Sequence, residues 1–341
     1  MTLSPRAVHT AGIAALLAFA PTCLAADRNA DVPRYSSFVF ENDFFIADDG
    51  GYTNGLAWSW AYGPFETFEG RTPGWVDWLA GGLYIATLPD RRRQVSYSVV
   101  QEIYTPEEIA IKEVDPDDRP YAGLLTWQTN WYAYDDRVSD RLGLELGVLG
   151  PLSFAEESQK LVHEITGANK PEGWDEQLDD EPVFRVSAQR NWRLSDGLVR
   201  GAEYDVVGLL HGGAGNRRSD LGSGAALRIG RGLRHSLPNL SLTPARDVNL
   251  MAGHPGSWYA FLGLGAQYVF NDITIDGNTF DDDSPSVELE NLQGTATAGA
   301  ALNIGNWSWL FSVRYITDEF ETQVKDSLYG SLSVSYGFSE R

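Results

Sequence analysis

The sequence predicts an all-β fold, a transmembrane antiparallel β-barrel of about twelve strands with a short helix inserted near 153–167. Three observations predict it. Segments of roughly ten residues recur with alternating character and end in turns rich in Gly, Asp, Asn or Pro. The 11 Trp and 15 Tyr gather near the ends of those segments, as in an aromatic girdle at a membrane interface. Positions opposite the apolar stripe are often Gly, Ser, Thr, Glu or Arg, which a sandwich core rejects and a wet lumen accepts. Alternation alone suits a soluble sandwich as well. The girdle and the polar inward positions decide for the barrel.

The chain opens with a polar segment containing Arg6, then the apolar run AGIAALLAFA, then PTCLAAD, so residues 1–25 read as a secretory signal peptide cleaved after Ala25 or Ala26. The run is too short for a spanning helix. Cys23, the only cysteine, falls inside the signal, which leaves 26–341 as a single barrel domain without disulfides. The 26 Lys and Arg against 47 Asp and Glu give a net charge of −21, which argues against nucleic acid and favours divalent cations over anionic partners. No mature segment has the long apolar run of a membrane helix.

Strands are expected near 35, 52, 95, 121, 140, 182, 198, 222, 257, 293, 306 and 327, an even number as bacterial barrels require. Leu56, Trp58, Trp60 and Tyr62 alternate with Gly55, Ala57, Ser59 and Ala61. Trp307, Trp309, Phe311, Val313 and Tyr315 alternate with Ser308, Leu310, Ser312 and Arg314. The last segment ends in VSYGF, an aromatic-ended terminal strand. One stretch breaks this rhythm. In PLSFAEESQKLVHEITGANKPEGWDEQL, within a loop over 151–181, Ser153 and Glu156 read as a capping box and Gly167 as a left-handed helix end, so a helix of about fourteen residues fits between them. Leu152, Phe154, Leu161, Val162 and Ile165 can pack, while Glu156, Gln159 and His163 share a polar stripe.

Few residues carry chemistry. His163 sits on a defined element with Gln159 one turn earlier, where an imidazole can act as general base; His211, His235 and His254 have no such setting. Asn42 and Asp43 are poor strand formers placed in a strand-like stretch. They are either a strand end before the turn ADDGG, or a site in which Asp43 offers Ca2+ a hard oxygen and Asn42 offers a developing oxyanion an amide donor. Thr53 is either a β-branched strand residue or a hydroxyl in reach of that site. PDRRRQ at 89–94 reads as a basic membrane-surface loop that can grip lipid phosphates. DPDDRPYAG at 115–123 reads as a turn whose Asp117 and Asp118 can also hold a cation. No GxSxG elbow, HExxH or phosphate loop is present.

Taken in order, ENDFF…YTNGL, QEIYTP, DRPYAG, GVLGP, QKLVH and PEGWDEQL..EP resemble the lipid A 3'-O-deacylase family of outer-membrane barrels, over about residues 38–182. The resemblance implies a hydrolase in the Gram-negative outer membrane that removes a 3'-linked acyl or acyloxyacyl group from lipid A with Ca2+, its site at the outer-leaflet end of the barrel. It carries over Asn42 and Asp43 as the Asn-Asp pair with Asp43 on the metal, Thr53 as the hydroxyl residue, Gln159 as the helix glutamine and His163 as the catalytic histidine. Where the family has an acidic residue after the helix, this chain has Asn169, with Glu172 and Asp175 beyond it. Lipopolysaccharide is the expected partner and a monomer the expected state. Two other classes fit the same barrel: an esterase acting on glycerophospholipid, and a non-enzymatic pore or structural barrel in which His163 packs against the wall.

Overall fold

The computed structural model describes residues 35–42, 51–166, 170–235 and 256–338. The expected signal peptide lies outside them. Twelve strands run antiparallel and close into a barrel: β1 (Tyr35–Asn42), β2 (Gly51–Phe65), β3 (Arg92–Thr105), β4 (Ala122–Tyr134), β5 (Val138–Leu149), β6 (Glu181–Val199), β7 (Ala202–Ala214), β8 (Arg218–Arg231), β9 (Trp258–Asp272), β10 (Leu292–Ile304), β11 (Trp307–Ile316) and β12 (Ser327–Gly337), with β12 returning to pair with β1. Closure leaves no open sheet edge, the condition a strand protein must meet in lipid. No helix among the described residues is long and apolar enough to cross a membrane. The strand expected near 198 starts later, at Ala202, because β6 continues to Val199 and turns through Arg200 and Gly201, both at positive φ (51° and 86°). That is the twist-matched two-residue hairpin, here without the Asn-Gly pair that announces it in sequence.

Antiparallel order sorts the connections to two ends. One end carries the segments after β1, β3, β5, β7, β9 and β11; the other carries the start of β1, the end of β12 and the remaining connections. Along β1, Tyr35, Ser37, Val39 and Glu41 point inward and Ser36, Phe38 and Phe40 outward, with Phe38 and its outward neighbour Trp58 each 50% exposed.

The lumen is polar, as the alternation predicts, but its charges are joined across it. Arg217, in the turn before β8, lies 3.3 Å from both Glu102 of β3 and Asp272 of β9, and 3.9 Å from Glu145 of β5. Arg218 donates to Asp272 at 2.6 Å, and Arg185 meets Asp220 at 2.8 and 2.7 Å. Paired charges are how so many ionisable groups remain buried in one interior. They also bridge the cross-section that a simple pore would leave to water.

At the end bearing the termini, the connection over 66–91 folds back onto the outer wall. Its helix α1 (Gly74–Gly81) buries Val76 and Ala80 with Phe68 and Ile85 against Trp60, Val95, Tyr97 and Trp131, leaving Trp78 exposed. Arg93, read from sequence as part of a basic surface loop, is instead buried and donates to the carbonyls of Glu66, Arg91, Ala86 and Leu88. Arg91 pairs with Asp135 at 3.1 Å. These two arginines hold this connection in place.

Candidate active site

The site is built on the outside of the barrel. Asn42, at the last outward position of β1, stands in register with Asn54 of β2, which stands beside Ile103 of β3, which stands beside Gly123 of β4; Gly330 of β12 flanks Asn42 on the other side. Outward residues lower on the wall are exposed, yet Asn42 is only 7% and Asn54 2% exposed. Something covers them from the lipid side.

Helix α2 (Ala155–Thr166) lies on the neighbouring part of the same wall, against β3 and β4. A Cβ added to Gly123 would collide with Ser153 Oγ and Ala155 Cβ, so the absence of a side chain there brings helix and wall together. Hydrophobic burial drives association weakly where the alternative medium is lipid, so close approach and hydrogen bonds must supply the difference. They are present: Gln101 Nε2 donates to the Ser153 carbonyl at 2.7 Å, and the Leu152 amide donates to Asp180 Oδ1 at 2.7 Å. Beneath the helix, Ile103, Tyr121, Ala155 and Trp174 form one buried cluster. Burial lifts the Tyr121 phenol to about 12, so it stays neutral there.

The helix differs from its sequence reading in two ways. It starts at Ala155, because Phe154 adopts a left-handed conformation (φ 56°) and the Ser153 hydroxyl reaches only the Ala155 amide, at 3.3 Å. The expected capping box is therefore replaced by a turn that pins Ser153 to the wall. Gly167 lies outside the described residues. The second difference is in packing: Leu161, expected to pack, is 58% exposed beside exposed Glu157, Lys160 and Glu164, while Gln159 is 1% exposed and His163 half-buried. The polar stripe of Gln159 and His163 thus faces the wall, and the opposite face carries charged side chains with Leu161 among them. Glu156, on the edge of that stripe, pairs with Lys160.

Gln159 is held by an element sequence reasoning did not single out. The Trp174 indole N–H donates to Gln159 Oε1 at 2.7 Å, and the Trp174 ring packs on Tyr121 with centroids 4.9 Å apart. Asn54 was also missed, although it carries the same signal as Asn42, a poor strand former placed in a strand. Its amide oxygen is buried without a hydrogen-bond partner among the described residues. Thr53 is the extra residue of a β-bulge between inward Tyr52, paired with Tyr104, and outward Asn54, paired with Ile103. Bulges re-aim strands beside active sites. Tyr52 itself donates to Glu41 at 2.7 Å on the luminal side.

The structure therefore brings Asn42, Gln159 and His163 to one end and one outer face of the wall, with Thr53 on the adjoining bulge. Asp43 and Asn169 lie outside the described residues. Among the described residues no three His, Cys, Asp or Glu side chains gather as a metal cluster. The partnerless Asn54 oxygen is a neutral donor of the kind an oxygen-preferring cation accepts. Asp175 pairs with Lys112 at 3.5 Å. Asp118 accepts from the amides of Glu107 and Arg119 at 2.8 and 2.7 Å, so its carboxylate organises the loop. Replacing Gly123 by Val is expected to push α2 off the wall and lower turnover about a hundredfold, with the barrel still folded by its gel-mobility shift on heating.

Comparisons agree with this architecture. Residues 12–338 match the family model described as Outer membrane protein LpxR. The solved structure of LpxR from Salmonella typhimurium superposes with a TM-score of 0.73 at 20% identity, covering 89% of this chain and all of that one. The translocator domain of the autotransporter NalP from Neisseria meningitidis aligns over 96% of this chain and 97% of its own at 11% identity, with a TM-score of only 0.39. Among curated proteins none matches this sequence. With the family model spanning nearly its whole length, the chain belongs to the LpxR family of outer membrane proteins.

Proposed function

We propose that this protein is an outer-membrane lipid A 3'-O-deacylase, cleaving an ester-linked acyl or acyloxyacyl chain from lipid A in the outer leaflet of a Gram-negative cell. The observation that carries this reading is the seating of the helix on the outside of the barrel: Gln159 buried and His163 half-buried on a helix pressed against the outward face of Gly123. Such a site is offered to a substrate in the leaflet, not to one passing through the lumen. In the proposed reaction His163 removes a proton from a water whose oxygen bonds to the ester carbonyl carbon. The Asn42 amide donates to the carbonyl oxygen as charge develops on it, and the Thr53 hydroxyl completes the polar shell. The bond from that carbon to the sugar oxygen then breaks, and His163 returns the proton to the departing alkoxide, leaving a free fatty acid and an alcohol. Ca2+, held by Asp43 with Asn54 as a neutral oxygen donor, would supply charge stabilisation at the carbonyl oxygen.

One observation favours the phospholipid alternative: Lys160 on the helix is already paired with Glu156, and Lys112 with Asp175, which leaves fewer cations for lipid A phosphates. Mass spectra of both lipid classes from outer membranes making this protein, with Ca2+ or a chelator, decide between the two. Loss of a 3'-linked chain from lipid A, abolished by the chelator, is the expected result. Unchanged lipid A beside new lysophospholipid would reassign the substrate, and no change in either lipid would sink the hydrolase.

A further inference from the structure

An amide side chain one helical turn before a catalytic histidine has two possible uses. Its oxygen can accept the imidazole N–H and so orient the base, or its NH2 can donate to an oxygen of the reaction. Sequence alone leaves both open for Gln159, and the structure separates them. An indole N–H only donates, so the 2.7 Å contact from Trp174 Nε1 must meet the oxygen of the Gln159 amide. That contact fixes the amide rotation, which is ordinarily ambiguous. The other end, Nε2, is then a donor, buried and without a hydrogen-bond partner among the described residues. Buried donors are almost always paired, so this one awaits an acceptor.

His163 is not that acceptor in a working enzyme. A donor cannot hold an imidazole N–H, and if it took the imidazole lone pair it would occupy the electrons the base needs. We infer that Trp174 is a positioning residue that locks Gln159 as a hydrogen-bond donor to a reacting oxygen, that of the attacking water or of the ester carbonyl. This assignment rests on the deacylase reading. Trp174 is suited to the task because it is itself fixed: it is buried against Tyr121, Ile103 and Ala155, and its segment is tied down by the Glu172 amide to the Ile109 carbonyl (2.9 Å) and the Leu178 amide to the Tyr121 carbonyl (3.0 Å).

The test uses the full-length protein in vesicles containing lipid A, with Trp174→Phe, Gln159→Ala, Gln159→Glu and the Trp174→Phe/Gln159→Ala pair. Trp174→Phe keeps the ring on Tyr121 and removes only the N–H. It is expected to lower kcat about ten- to a hundredfold with KM within about twofold and the histidine limb of the pH profile in place. The double variant should lose no more than Gln159→Ala alone, because both changes remove one donor. Gln159→Glu, which accepts from the indole and presents a second acceptor, should lose at least as much as Gln159→Ala. Wild-type kcat in Trp174→Phe, multiplying losses in the double variant, or a Gln159→Glu protein as active as wild type would each overturn the assignment. If Trp174→Phe fails to assemble a heat-modifiable barrel, the Gln159→Glu and Gln159→Ala comparison still decides whether a donor is required. A wild-type protein that releases no acyl chain from any lipid removes the deacylase reading and this assignment together, whereas an active wild type with an unaffected Trp174→Phe removes this assignment alone.

Discussion

His163→Ala is expected to lower acyl release by about 10²- to 10⁴-fold, the range over which a positioned general base acts. The barrel should be unchanged, because His163 sits on α2 and contributes nothing to the strand ladders that close β1 against β12. Heat-modifiable gel mobility checks the fold, and timed fatty-acid release from lipid A vesicles checks the rate. Retention of more than about a tenth of wild-type activity in a folded His163→Ala protein would exclude it as the base. An imidazole that merely packed against the wall would show the opposite pattern, a softened helix and little change in chemistry.

Arg217→Ala should produce the largest loss of stability, about 3–5 kcal/mol, because it strands buried carboxylates. Arg217 is buried with Glu102, Asp272 and Glu145 around it and also donates to the Tyr104 hydroxyl at 3.2 Å. Removing the cation leaves Glu102 and Glu145 facing one another without it, while Asp272 keeps Arg218 at 2.6 Å. The urea midpoint in lipid vesicles reads the loss. Adding Glu102→Gln to Arg217→Ala should recover part of it, since one uncompensated charge disappears. An unchanged midpoint in Arg217→Ala would mean that the lumen is wet enough to solvate its charges, and would reopen the pore reading.

The barrel was legible because its strands keep period two over long stretches, and an ion-paired interior lets the inward positions be polar without breaking the pattern. The face on which the candidate site lies was not legible. In FVFEN, Phe38, Val39 and Phe40 are all apolar, so parity alone does not say whether Asn42 looks into the lumen or out at the lipid; the register of β1 with β2 and β12 does. Helix α2 was predicted from its composition, but its capping box failed because a left-handed Phe154 is a tertiary solution, set by Ser153 seating against Gly123. That Gln159 and His163 share one stripe of the helix was readable from their spacing. Trp174 was not, because its partner lies 15 residues away across a loop and the pairing exists only once that loop is folded. Asn54 was readable in principle, since it repeats the anomaly of Asn42 directly across the strand pair.

The outward placement of the site also sets how the proposed reaction is fed. A substrate embedded in the leaflet reaches the helix by sideways diffusion, so the quantity that governs turnover is its mole fraction in the membrane, not its concentration in the surrounding solution. Diluting vesicles with buffer leaves the rate per protein unchanged, whereas diluting the substrate with inert lipid lowers it. The fatty acid released remains in the same sheet, where it accumulates around the enzyme as a competitor for the wall it has just left.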